Sequence, residues 1–208
     1  MTRNTDLSHL VGGSPLWRRI GRVALCCLLV LPLAAQAASE WGVAELMRQL
    51  ARHPGGRATF VEKKYLAVLD QPVESSGELF FAPPARMEKR TLKPKPELLV
   101  LDGDRLTVER GKQKYTLSLA QYPEIAAFVD SIRGTLAGDL LALQSQYHVS
   151  LAGDPARWTL TLLPADTKMA AVVLRISVSG ARDSVRSIEI RQADGDRSVM
   201  TIDEGAAR

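Results

Sequence analysis

The chain has 208 residues, 46% of them hydrophobic and 24% charged, an ordinary globular balance that excludes fibrous, collagen-like and disordered classes. Its net charge of +4 comes largely from one terminal segment. Residues 1–37 hold four of the 27 basic residues and one of the 23 acidic ones, so the chain from Ala38 onward carries only +1. A near-neutral chain has no electrostatic case for nucleic acid.

The segment 1–37 reads as a secretory signal peptide. Arg18, Arg19 and Arg22 precede an apolar run from Val23 to Leu33, and Ala35-Gln36-Ala37 follows as a small-x-small cleavage site. Cleavage is expected between Ala37 and Ala38. An uncleaved anchor is the alternative, but the run is shorter than the roughly 20 residues that span a bilayer. Cys26 and Cys27 leave with the signal, so the exported form has no thiol. Its stability must then come from a packed core. The remainder, 38–208, reads as one domain.

Residues 39–53 predict a helix with Ser39 as its cap, because Trp41, Val43, Leu46, Met47 and Leu50 form an apolar stripe at helical spacing. Pro54-Gly55-Gly56 ends it. The pattern then changes to short β-segments, punctuated by proline, glycine and Asp-Gly turns: 57–69, 75–82, 86–92, 98–101, 105–109 and 115–119. The middle, 122–146, returns to helical spacing with Ile125, Phe128, Val129, Ile132, Leu136, Leu140, Leu141 and Leu143. Gly134 and Gly138 interrupt it, which predicts two or three short helices with joints. Strands resume at 147–151, 158–163, 172–178, 185–191 and 198–202.

The reading is α+β: about eleven strands in an antiparallel meander, a leading helix and a central helical insert. Eleven strands would be about 50 Å wide if flat. A sheet of that size curls or splits, so the expectation is a strongly curled, open half-barrel holding the helices on its concave face. The interior is then either a filled core or a lined cavity.

Catalytic signals are weak, and no enzyme or cofactor is expected. His53 and His148 stand without a second His or Cys at ligand spacing. No phosphate-binding loop and no nucleophile elbow occur. The stretch Lys89-Arg90, Lys93, Lys95 is the one charge concentration. It reads either as a solvated loop or as a contact for an acidic partner or lipid headgroup.

Several segments, in order, resemble the LolA family of periplasmic outer-membrane lipoprotein carriers over roughly 40–203. Ala58-Thr59-Phe60 with Glu62-Lys63 is similar to the family's opening strand, and Ser76-Gly77-Glu78-Leu79-Phe80 to its G-x-L-W strand. Pro84-Ala85-Arg86-Met87, the run Leu98 to Leu101 with Asp102-Gly103, and Asp196-Arg197-Ser198 continue the likeness. The chain departs from the pattern at Pro83, where the family carries a lid-holding Arg, at Lys89, where it carries an interior Trp, and at Leu106-Thr107-Val108, which replace aromatics. It reads as a divergent branch.

The resemblance implies a hydrophobic cavity under a helical lid, with cargo-binding side chains Phe60, Phe80, Met87, Leu99, Leu101, Leu117, Ile125, Phe128, Leu136, Trp158 and Leu160. It implies a monomeric periplasmic carrier for lipoprotein or lipid acyl chains, served by an inner-membrane releasing transporter and an outer-membrane acceptor. An acyl chain of about sixteen carbons loses roughly 12 kcal/mol on exposure to water, at about 0.8 kcal/mol per CH₂, so its transfer needs such shelter. The alternative is an envelope sensory or assembly domain that binds an acylated partner without moving it.

Overall fold

The structure, a computed structural model, describes residues 41–205. The expected signal peptide and its Ala37–Ala38 cleavage site lie outside these residues. Among the described residues no helix is long and apolar enough to cross a membrane.

Helix α1 (Val43–Leu50) leads into six strands: β1 (Gly56–Tyr65), β2 (Val73–Ala82), β3 (Arg86–Lys93), β4 (Glu97–Asp102), β5 (Arg105–Arg110) and β6 (Gln113–Ser118). A 3-10 turn at Leu119–Gln121 opens the helical insert, α2 (Pro123–Ala137) and α3 (Leu140–Gln146). Five elements of sheet follow: β7 (Tyr147–Asp154), β8 (Arg157–Pro164), β9 (Val173–Ala181), β10 (Ser184–Gln192) and β11 (Arg197–Asp203), with helix α4 (Thr167–Ala170) between β8 and β9.

All eleven expected strands are present, and every pairing is antiparallel. They form one sheet in the order β6-β5-β4-β3-β2-β1-β11-β10-β9-β8-β7. This is two meanders rather than one. The first and last strands pair at the centre, Phe60 opposite Ile202 and Glu62 opposite Met200. The edges, β6 and β7, are left unpaired with each other, so the sheet is not closed. They are consecutive in the chain, and the insert is what joins them. A chain that leaves one edge and re-enters at the other must cross the sheet, and α2 and α3 make that crossing.

The helices differ in detail from the expected pattern. α1 is shorter than 39–53 and starts after Gly42, with no side-chain cap. The insert is two helices with one joint, within the two or three expected. Gly138 is left-handed at φ 68° and caps α2, while Asp139 caps α3 by accepting from the Ala142 N–H at 3.0 Å. Gly134 lies inside α2, and a Cβ there would stand 3.2 Å from Leu143 Cδ2. It is a close-packing position between α2 and α3. α4, a single turn capped by Asp166, is an element the periodicity does not predict, because four residues are too few to show a helical period.

The core fills one half of the molecule. Trp158, Leu160 and Leu162 of β8 and Ile176 of β9 have no exposed surface, and they pack with Leu46 and Leu50 of α1 and Leu143 of α3. The Tyr147 hydroxyl sits among them, donating toward Ala127 O (3.1 Å) and Met169 Sδ (3.3 Å). Burial pushes its pKa up, so it stays a neutral donor.

Candidate functional site

The other half of the sheet is not filled. Two-residue alternation along each strand, combined with the observed register, sends Leu79 and Phe81 of β2, Met87 of β3, and Leu99 and Leu101 of β4 to the same face as Ala58. Ile188, Met200 and Ile202 continue that face across β10 and β11. Opposite them, α2 presents Ile125, Phe128, Val129, Ile132 and Leu136. Between the two layers lies a cavity of about 830 Å³. That is in the upper part of the range of about 300–1,000 Å³ for small-molecule sites. Leu79, Phe81, Met87 and Leu99 are only half-buried although they face inward, because they border a void rather than neighbouring side chains.

The seven predicted residues Phe80, Met87, Leu99, Leu101, Ile125, Phe128 and Leu136 all border this cavity. Phe80 does so only at the rim of the strand. Alternation puts its ring on the face opposite that of Leu79 and Phe81, where the Arg57 guanidinium stands 5.1 Å from the ring centroid. The other four predicted residues are elsewhere. Phe60 points to the cavity face but is covered, with Lys89 Nζ 4.9 Å from its ring centroid. Leu117 pairs with the wall residue Leu106 on the edge strand β6, one strand beyond the void. Trp158 and Leu160 are in the filled core. Trp158 lies against Gly180, where a Cβ would stand 2.4 Å from its Cζ2, and its Nε1 donates to Arg182 O at 2.9 Å.

Sequence reasoning missed Leu79 and Phe81, which the alternation Gly77-Leu79-Phe81 carries. It also missed the contribution of β10 and β11, for which no local signal exists. That contribution depends on a β1–β11 pairing across more than 130 residues.

The wall is not uniformly apolar. Glu62 is 4% exposed. It accepts from Lys89 Nζ at 2.5 Å through Oε2 and from Ser198 Oγ at 3.1 Å through Oε1, with Lys64 Nζ 4.0 Å away. Burial pushes this carboxyl up, but Lys89, Lys64 and Ser198 together outweigh it and hold the pKa below the ordinary glutamate value. The Lys-rich stretch therefore divides: Lys89 turns inward, while Arg90, Lys93 and Lys95 are exposed. Near the start of β1 the wall has a second polar group. His53 Nε2 lies 3.8 Å from Glu204 Oε1, and Ser184 Oγ donates to Glu204 Oε2 at 2.8 Å. Among the described residues no three His, Cys, Asp or Glu side chains gather as metal ligands would.

The cover is tied down from its own side. Pro83, at the turn where a lid-holding Arg was looked for, is exposed. Instead Arg133 of α2 donates from Nη1 to Gly103 O of the β4–β5 turn at 2.7 Å and pairs with Asp130.

Beside this geometry, the amino-acid sequence matches one protein family, described as outer membrane lipoprotein carrier protein LolA-like, over residues 34–208. The chain belongs to this LolA-like family. The family is a binding or carrier family. No curated protein matches the chain. Among solved structures, the LolA superfamily protein NE2245 of Nitrosomonas europaea is 10% identical with a TM-score of 0.41, over 79% of this chain and 92% of its own. A DUF1329 family protein of Desulfovibrio piger is 11% identical with a TM-score of 0.45, over 80% and 92%. The MucA/MucB complex of Pseudomonas aeruginosa contains a chain 18% identical with a TM-score of 0.44, over 80% of this chain but only 58% of that one.

Proposed function

We propose that this LolA-like protein is an exported envelope carrier that shelters the acyl chains of a lipoprotein or lipid-like cargo between the inner and outer membranes. The observation that carries this reading is the void of about 830 Å³ between the apolar face of α2 and the inward residues of β2, β3 and β4. An ordinary core would close such a space, since protein interiors pack like organic crystals. Aliphatic and Met side chains such as Leu79, Met87, Leu99 and Met200 re-pack around flexible chains. A sheet strongly curled around its helical cover, a monomeric state and hand-over between membrane partners belong to the same reading. So does cleavage before Ala38, which an intact mass of the exported chain checks.

Native mass spectrometry of the protein purified from its envelope compartment tests it. Adducts with the mass of an acylated species are the expected result. A protein that emerges empty and fails to take up a neutral apolar fluorophore would sink the reading. An envelope sensory or assembly domain would also bind an acylated partner, but would not move it from inner-membrane to outer-membrane vesicles.

A further inference from the structure

Lys89 is a cation in an apolar row. Its cross-strand neighbours are Leu79 and Leu99, both on the cavity wall, and its ammonium passes over the Phe60 ring to reach Glu62. Lys64, two residues beyond Glu62 on the same face of β1, brings a second ammonium to the same carboxylate. Two ammoniums share one carboxylate, so this corner of the cavity carries one positive charge in excess. Each ammonium has three N–H donors. Among the described residues Lys89 donates only to Glu62, and Lys64 makes no hydrogen bond closer than its 4.0 Å approach to Glu62. Ser198 faces the same point from β11. The Glu204 group of the wall is remote from this corner. Glu204 follows the end of β11 while Ser198 is its second residue, and six residues of strand span about 20 Å. The basic corner and the Glu204 group therefore lie at separate parts of an otherwise largely apolar wall.

We infer that the corner formed by Lys64, Lys89 and Ser198 binds the anionic group of a long-chain amphiphile whose tail fills the apolar middle. The inference rests on the acyl-binding reading of the cavity and adds the chemistry of the head. The anion is a carboxylate, as in a free fatty acid, or a phosphate ester, as in a phospholipid. Both accept from two ammoniums at once. The half-exposed Lys64 is free to swing toward the ligand, while Glu62 keeps Lys89 aimed along the wall.

Displacement of a neutral apolar fluorophore, 1-N-phenylnaphthylamine, from the exported chain tests this, using dodecanoate, dodecyl phosphate and 1-dodecanol at low salt. The tail is constant and only the head changes. At least one anion is expected to displace the fluorophore at about tenfold lower concentration than the alcohol, the worth of one charge-assisted hydrogen bond. Which anion does so identifies the source. Lys64→Met should bring anion and alcohol within about twofold. The triple variant Glu62→Gln/Lys64→Met/Lys89→Met removes all three charges together, leaves no unpaired charge in the wall, and should do the same, with thermal melting as the check on folding. Equal displacement by all three ligands in the wild type overturns the anion corner and leaves the acyl cavity standing. A preference for the anion that survives both variants also overturns it. If the fluorophore does not bind at all, the acyl-binding reading fails and this inference fails with it.

Discussion

Arg133 Nη1 donates to the carbonyl oxygen of Gly103 at 2.7 Å, and this bond ties the covering helix α2 to the β4–β5 turn on the far side of the cavity. The guanidinium is only about a quarter exposed and is held by Asp130, one turn before it on the same helix. A hydrogen bond from a charged donor is worth about 1.5–3 kcal/mol when well buried, and less at this exposure. Arg133→Ala is therefore expected to cost about 1 kcal/mol and to speed amide hydrogen exchange across α2 and α3, with little change in β8 and β9. Unchanged exchange in 123–146 would show that the bond does not hold the cover.

The two insert glycines should respond differently to alanine. At Gly138, φ is 68° and an added Cβ would stand 2.2 Å from Met47 O, an atom of the α1 backbone that cannot move alone. Gly138→Ala is expected to destabilise by at least about 2 kcal/mol. At Gly134 the nearest atom is the tip of Leu143, at 3.2 Å, and alanine gains about 1 kcal/mol of helix propensity. Gly134→Ala should leave stability within about 1 kcal/mol of the wild type. Urea titration of both variants checks the contrast.

The Glu62 carboxyl makes stability pH-dependent with a definite sign. Its folded pKa lies below the ordinary value of 4.5. The contribution is therefore complete above about 4.5 and is lost as pH falls through the lowered folded value. Glu62→Gln cannot titrate and should show a flatter loss of stability across that acid window than the wild type. Parallel acid-unfolding curves for the two proteins would contradict it.

The register of β4 predicts a difference between adjacent residues. Leu99 faces the cavity, whereas Val100 is on the opposite face between Glu88 and Thr107. Leu99→Glu should weaken binding of a neutral apolar fluorophore by about tenfold or more, since a charge in apolar surroundings is strongly unfavourable. Val100→Glu should change it by less than about twofold, its cost appearing instead as repulsion from Glu88. The reverse order would mean the register is shifted by one residue.

Much of this molecule was written locally in its sequence. Periodicity and turn residues placed all eleven strands, α1 and the helical insert, because each strand is bounded by proline, glycine or Asp-Gly, and each helix by a change of period. The apolar stripe Ile125, Phe128, Ile132 and Leu136 already marked the face that covers the cavity. What only the tertiary structure decided is long-range. The pairing of β1 with β11 splits one expected meander into two, and brings Ser198 to Glu62 across 136 residues. No short-range pattern encodes a contact of that separation. The division of apolar residues between core and void was equally illegible. Leu160 and Leu99 are both strand leucines on inward faces, yet one has no exposed surface and the other lines an 830 Å³ cavity. Side-chain type sets the tendency to leave water, but whether a neighbour is there to fill the space depends on the path that α1, α2, α3 and α4 take over the sheet.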